Sequence, residues 1–138
     1  MTIGAREALD RLRAALDAGE LDPDLEALHV DLMSAFGSVA RRHSDANSEP
    51  ADLDIGVRFD GPVRLLEVVN LLVDTTGYDN IDVAAVTGEH PVLDAEAMGG
   101  IPLYERVSGA FAEAQMAAIG HLWDTAKFRE LDRKLLAR

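Results

Sequence analysis

Two hydrophobic periods alternate along the chain. Apolar residues at Ala5, Ala8, Leu9, Leu12, Ala15 and Leu16 recur at helical spacing, with Arg6, Asp10, Arg11, Arg13 and Asp17 on the other faces, which predicts an amphipathic first helix. Gly19 then stands where a left-handed cap costs little. After the turn at Asp22-Pro23-Asp24, a helical turn over Leu25 to Leu28 leads into a strand over His29 to Phe36. Its expected faces are Val30, Leu32, Ser34 and Phe36 on one side and His29, Asp31, Met33 and Ala35 on the other. Gly37 to Arg42 turns into a brief helix, and Ser44 to Ala51 is a run of loop formers. Period two then returns: Leu53, Ile55, Val57 and Phe59 alternate with Asp52, Asp54, Gly56 and Arg58, the pattern of a half-buried strand. With the apolar row on the core, Asp52 and Asp54 share the opposite face.

Asp60-Gly61-Pro62 breaks that strand, and Pro62 is placed to open a helix over Val63 to Thr76 that Gly77 closes. Asn80 to Thr87 predicts a third strand, with Ile81, Val83 and Ala85 on one face and Asp82, Ala84 and Val86 on the other. A helix starting at Pro91 ends before Gly99-Gly100, and Ile101 to Tyr104 reads as a short edge strand or extended link. Ser108 is the expected N-cap of a helical C-terminal region whose apolar stripe is Phe111, Ala114, Ala118, Leu122, Trp123 and Ala126. Phe111 and Trp123 are expected in the core. No internal repeat or linker interrupts the pattern, so residues 1–138 are expected to form one domain.

Composition narrows the classes. At 48% hydrophobic residues the chain can bury a core, and with no cysteine it can use neither disulfides nor thiolate ligands. Charges spread through the first residues argue against a signal peptide, and no stretch is long and apolar enough for a membrane span, so the expected compartment is the cytoplasm. A formal charge of −12 weighs against binding along a nucleic-acid backbone, which depends on Lys and Arg displacing counterions. The same charge suits a basic protein partner, and it admits a small anion if divalent metals screen it.

The chemistry concentrates between Phe36 and Phe59. Aspartates at i and i+2 on one strand face can grip hard cations, and Mg²⁺ commonly takes one or two carboxylates together with substrate phosphates. Asp82, an acid inside an otherwise apolar strand, needs a partner if buried; it is placed to supply a third metal carboxylate or, on the plainer reading, to pair with Arg58. Gly37 permits close backbone approach, Ser38 offers a hydroxyl, and the amides of a helix start present donors to phosphate. Arg41, Arg42 and Arg58 are local cations. The four histidines show no metal-ligand spacing.

In this order, a strand, Gly37-Ser38 with Ala40, then Asp52-Leu53-Asp54 on a second strand and Ile81-Asp82-Val83 on a third, the chain resembles the minimal nucleotidyltransferases of the DNA polymerase beta superfamily. Pro102-Leu103-Tyr104-Glu105 before a long helix is similar to that family's C-terminal portion, so the likeness covers most of the chain after about Leu25. Arg42 stands where the family usually has glycine, Ala51 where it has serine, and the intervening loop is longer. Ser44-Asp45 is a rival for the Ser-Asp pair, but only Asp52 and Asp54 lead directly into the alternating strand.

The resemblance implies an α+β nucleotidyltransferase fold, a small mixed sheet with helices packed on it and a helical C-terminal region. It implies AMP transfer from Mg-ATP, with Asp52, Asp54 and Asp82 as the catalytic carboxylates holding two Mg²⁺ ions and Gly37, Ser38, Arg41 and Arg42 binding the nucleotide. Stand-alone members this small resemble antitoxins paired with HEPN-type ribonuclease toxins, whose tyrosine hydroxyl is the acceptor, so a hetero-oligomer with such a toxin is expected. Alternatives are an antitoxin that acts by binding alone, and a transferase acting on a small molecule or tRNA.

Overall fold

The computed structural model describes residues 3–41 and 49–136. Helix α1 (Ala5–Asp17) buries the whole predicted stripe, Ala5, Ala8, Leu9, Leu12, Ala15 and Leu16. Helix α2 (Asp22–Ala27) follows, and β1 (Val30–Phe36) leads into a 3-10 turn, Gly37–Ala40. Strand β2 (Leu53–Phe59), helix α3 (Leu65–Thr76) and strand β3 (Ile81–Ala85) form a parallel unit. Such a pair needs a crossover, and α3 supplies it. Helix α4 (Pro91–Met98), strand β4 (Ile101–Glu105) and helices α5 (Ala110–Asp124) and α6 (Ala126–Leu136) complete the order.

The four strands lie in the order β3-β2-β1-β4, with β1 antiparallel to both β2 and β4. The sheet is therefore mixed, as the resemblance implied. One face carries α1 and α3, whose Leu12, Val68 and Leu72 pack with Met33, Ala35, Ile55 and Val57. The other carries α4 and α5, where Leu32 and Phe36 meet Ala97, Met98 and Phe111.

This double coverage explains the imperfect alternation of β1. A strand buried on both faces reads as a nearly continuous apolar run, and a register shift between Val30 and Leu32 moves Val30 onto the face of Met33 and Ala35. The expected grouping of Val30 with Leu32, Ser34 and Phe36 is corrected accordingly. Gly56 on β2 is a packing glycine: a Cβ there would lie 2.8 Å from the Ala97 Cβ and 2.9 Å from Ser34 Oγ. Its absence lets α4 settle against the sheet beside Asp54.

Two helix starts differ from expectation. Helix α3 begins at Leu65, after a bend over 60–62 with Gly61 at φ 140, so Pro62 does not open it. Helix α5 has Gly109, not Ser108, at its N-cap, and the carboxylate of Glu105 satisfies its first amides, accepting from Gly109 N at 3.1 Å and Phe111 N at 2.8 Å. Those two bonds hold the Glu105 carboxyl below its ordinary value. The C-terminal helical region breaks at Thr125, and Trp123, expected in the core, is 74% exposed, whereas Phe111 is buried. Among the described residues no helix is long and apolar enough to cross a membrane.

Candidate functional site

The site is assembled by strand register. Phe36, the last residue of β1, pairs with Asp54, so the chain turns at Gly37 directly beside that carboxylate. Gly37 sits at φ 71, a left-handed conformation that strains any residue with a Cβ. A Cβ there would also collide with Asp54 Oδ2. The turn is pinned from beneath by Val39, which is buried, and it places Ser38, half-buried, at the end of β1.

On its other side β2 runs parallel to β3, and Asp54 is the register partner of Asp82. Asp52 lies one residue before β2, exposed, in the approach to the strand. The Asp54 carboxyl is pushed above its ordinary value, first by burial and then by the negative charges of Asp82, Asp52 and Glu96, while Arg41 opposes the shift. Three strands thus bring Gly37, Ser38, Asp52, Asp54 and Asp82 to one end of the sheet.

Arg41 is at the same end, with its guanidinium 3.9 Å from Glu96 of α4 in an exposed pair. Arg42, together with His43 and the rival Ser44-Asp45, lies outside the described residues. Arg58 does not belong here. It is four residues further along β2, about 13 Å away at strand rise, and its Nε and Nη2 both donate to Asp31 Oδ2, at 2.9 and 2.7 Å. The suggested Asp82–Arg58 pair is therefore absent, and Asp82, being exposed, does not require one.

Sequence reasoning missed what holds the first aspartate. The Tyr78 hydroxyl donates to the carbonyl of Ala51 at 2.7 Å, Asn80 Nδ2 donates to the same oxygen at 3.3 Å, and Leu53 N donates to Asn80 O at 2.9 Å. The loop after α3 thereby fixes the backbone on both sides of Asp52. Tyr78 is buried, and that burial is the main cause of its raised pKa. Nothing in the local pattern joins Tyr78 to a residue 27 positions earlier. Glu96 was also missed, since its approach to Asp54 depends on α4 docking over Gly56.

Among the described residues no three His, Cys, Asp or Glu side chains stand in ready ligand geometry for a metal ion. The donor set nevertheless suits a hard divalent cation: carboxylate oxygens that burial and then their mutual repulsion make costly to ionise at Asp54 are the groups that such an ion would neutralise.

No family model matches the sequence, and no curated protein matches it. Solved structures do match in shape. A mutant of the toxin-antitoxin pair MntA-HpeT aligns at TM-score 0.61 and 15% identity over 86% of this chain and 97% of that one. A toxin-antitoxin structure with AMP-PNP gives the same values. The tri-AMPylated Shewanella oneidensis HEPN toxin in complex with MNT antitoxin aligns at TM-score 0.59 and 13% identity over 88% of this chain and 97% of that chain. At these identities the likeness establishes a shared fold, the one that the sequence motifs pointed to.

Proposed function

We propose that this chain is a minimal nucleotidyltransferase that moves AMP from Mg-ATP to a hydroxyl, a tyrosine of a HEPN-type ribonuclease toxin, and so serves as the antitoxin of that pair. The observation that carries this reading is the register that sets Asp54 between the Gly37-Ser38 turn and Asp82. The fold shared with complexes whose toxin is AMPylated, or that hold AMP-PNP, supports it.

In this mechanism the amides around Gly37, the Ser38 hydroxyl and Arg41 hold the terminal phosphates, with Arg42 as a further cation. Two Mg²⁺ ions held by Asp52, Asp54 and Asp82 would screen the triphosphate and stabilise the attacking and departing oxygens. Asp82, at the β3 side, accepts the proton of the acceptor hydroxyl as its oxygen attacks the α-phosphorus. The bond from that phosphorus to the bridging oxygen breaks, and pyrophosphate leaves in line with the electron pair. Tyr78 and Asn80 keep the Asp52 backbone in place throughout.

A protein acceptor is supported by the C-terminal helices. No residue of α6 is buried, and Met116, Trp123, Phe128 and Leu136 are all more than two-thirds exposed, an apolar stripe that a helical partner would cover. Incubation with a co-expressed toxin and ATP labelled on its α-phosphate tests the proposal. Label should enter the toxin with Mg²⁺ and vanish in Asp52→Ala with Asp54→Ala. If ATP and Mg²⁺ bind and no toxin is labelled, the enzymatic reading is wrong. If the double variant still neutralises the toxin, occlusion rather than transfer is the protective act.

A further inference from the structure

At the opposite end of the sheet face that carries α4 and α5, between those helices and the loops that follow β2 and β3, lies a cavity of ≈ 580 Å³. That volume is typical of small-molecule sites. Its wall is largely apolar, with Phe59, Val63, Val86, Met98 and Ala118. It lies beyond Arg58 on β2, some 13–17 Å along the strand from Asp54, and shares no lining residue with the nucleotide site.

Asp94 of α4 also lines this cavity. The residue is only 3% exposed, and neither carboxylate oxygen has a hydrogen-bond partner among the described residues. An ionised carboxylate kept from water without a partner is strongly disfavoured, so this position calls for a donor. The neighbouring cation at the rim, Arg58, is already held by Asp31 through two bonds. The other titratable wall residue, His121 of α5, is exposed and makes no bond to Asp94.

We propose that the cavity is a binding site for a small organic cation, an ammonium or guanidinium group on an apolar stem, with Asp94 as its counter-ion. The stem would replace water along Phe59, Val86 and Ala118, while the charged head would give Asp94 the donors it lacks. Both carboxylate oxygens are closed off from solvent. Turning Asp94 about its broad terminal torsion would present one of them to the ligand. The net charge of −12 would raise the local concentration of such cations.

The test is an NMR titration of the full chain with butylguanidine and butylamine, and with butanol as the uncharged control. The expected result is saturable shifts of amides at 86–88, 94–98 and 114–121 for both cations and not for butanol. Asp94→Asn, nearly isosteric, should weaken butylguanidine at least tenfold. Ala118→Leu, which fills the cavity from α5 and leaves Asp94 in place, should do the same if the asparagine variant does not fold. The proposal is overturned if butylguanidine produces no saturable shifts there, or if either folded variant binds it as tightly as the native chain.

Discussion

Replacing Gly37 by alanine probes the contact on which the site is built. The residue sits at φ 71, where a side chain costs about 1–2 kcal/mol through clash with the following carbonyl. Its new Cβ would also strike Asp54 Oδ2, and crowding of that kind adds about 1–3 kcal/mol. The variant should therefore lose about 2–5 kcal/mol. Gly77 provides the control. It has φ 72, and a Cβ there would meet only Arg11 Nη1 at 3.5 Å, an ordinary contact, so Gly77→Ala should show the backbone cost alone.

A double-mutant cycle then isolates the steric part. In an Asp54→Ala background the nearest Asp54 atom left is Cβ, 3.5 Å from the added methyl, so Gly37→Ala should cost only about 1–2 kcal/mol there. The coupling, about 1–3 kcal/mol, is read from urea unfolding of the four chains in EDTA. Equal costs of Gly37→Ala in both backgrounds would refute the argument that the turn and the carboxylate are mutually fitted.

Three further outcomes follow from the same geometry. Because burial, Asp82, Asp52 and Glu96 raise the Asp54 carboxyl above 3.8, this group holds its proton more tightly in the folded chain than in the unfolded one just above that value. Without divalent cation, this carboxyl's contribution to stability should therefore fall as pH rises from about 3.8 through its folded pKa, and Asp54→Asn should make the slope of stability against pH more positive there in urea titrations; an unchanged slope would contradict the raised carboxyl. Tyr78→Phe removes the hydroxyl that holds Ala51 O at 2.7 Å. It should cost about 1 kcal/mol, or about 3–5 °C in melting temperature, and lower the rate of the proposed AMP transfer without weakening ATP binding; an undiminished rate would remove Tyr78 from the site. Finally, Trp123→Asp with Phe128→Asp, both on exposed positions, should leave unfolding within about 0.5 kcal/mol of native and weaken the proposed toxin complex by at least about 2 kcal/mol, some thirtyfold. Undiminished co-purification would place the partner elsewhere.

How much of this was legible in the chain depends on the range of the interaction concerned. The stripe of α1, the alternation of β2 and the closing of α3 at Gly77 are local consequences of periodicity and backbone sterics, and they stand as read. The order of Gly37-Ser38, Asp52-x-Asp54 and Asp82 is legible for the same reason, since a residue type, a spacing and an alternating strand are all local. The cap of α5 was misread for the opposite reason: Glu105, four residues before Gly109, competes with Ser108 for the helix amides, and only the bend between them decides which arrives.

What the chain could not state by itself was which strand lies beside which. Pairing is chosen by burial on both faces of β1 and by the crossover through α3, contacts between residues far apart in sequence. That choice sets Asp54 opposite Asp82, sends Arg58 to Asp31 at the far end of β2, and brings Tyr78 to Ala51. It also leaves Trp123 in solvent and seals Asp94 in the wall of a cavity, although a helical wheel would bury the first and expose the second. Periodicity records that a face is apolar, and only the packed structure determines whether another element is there to cover it.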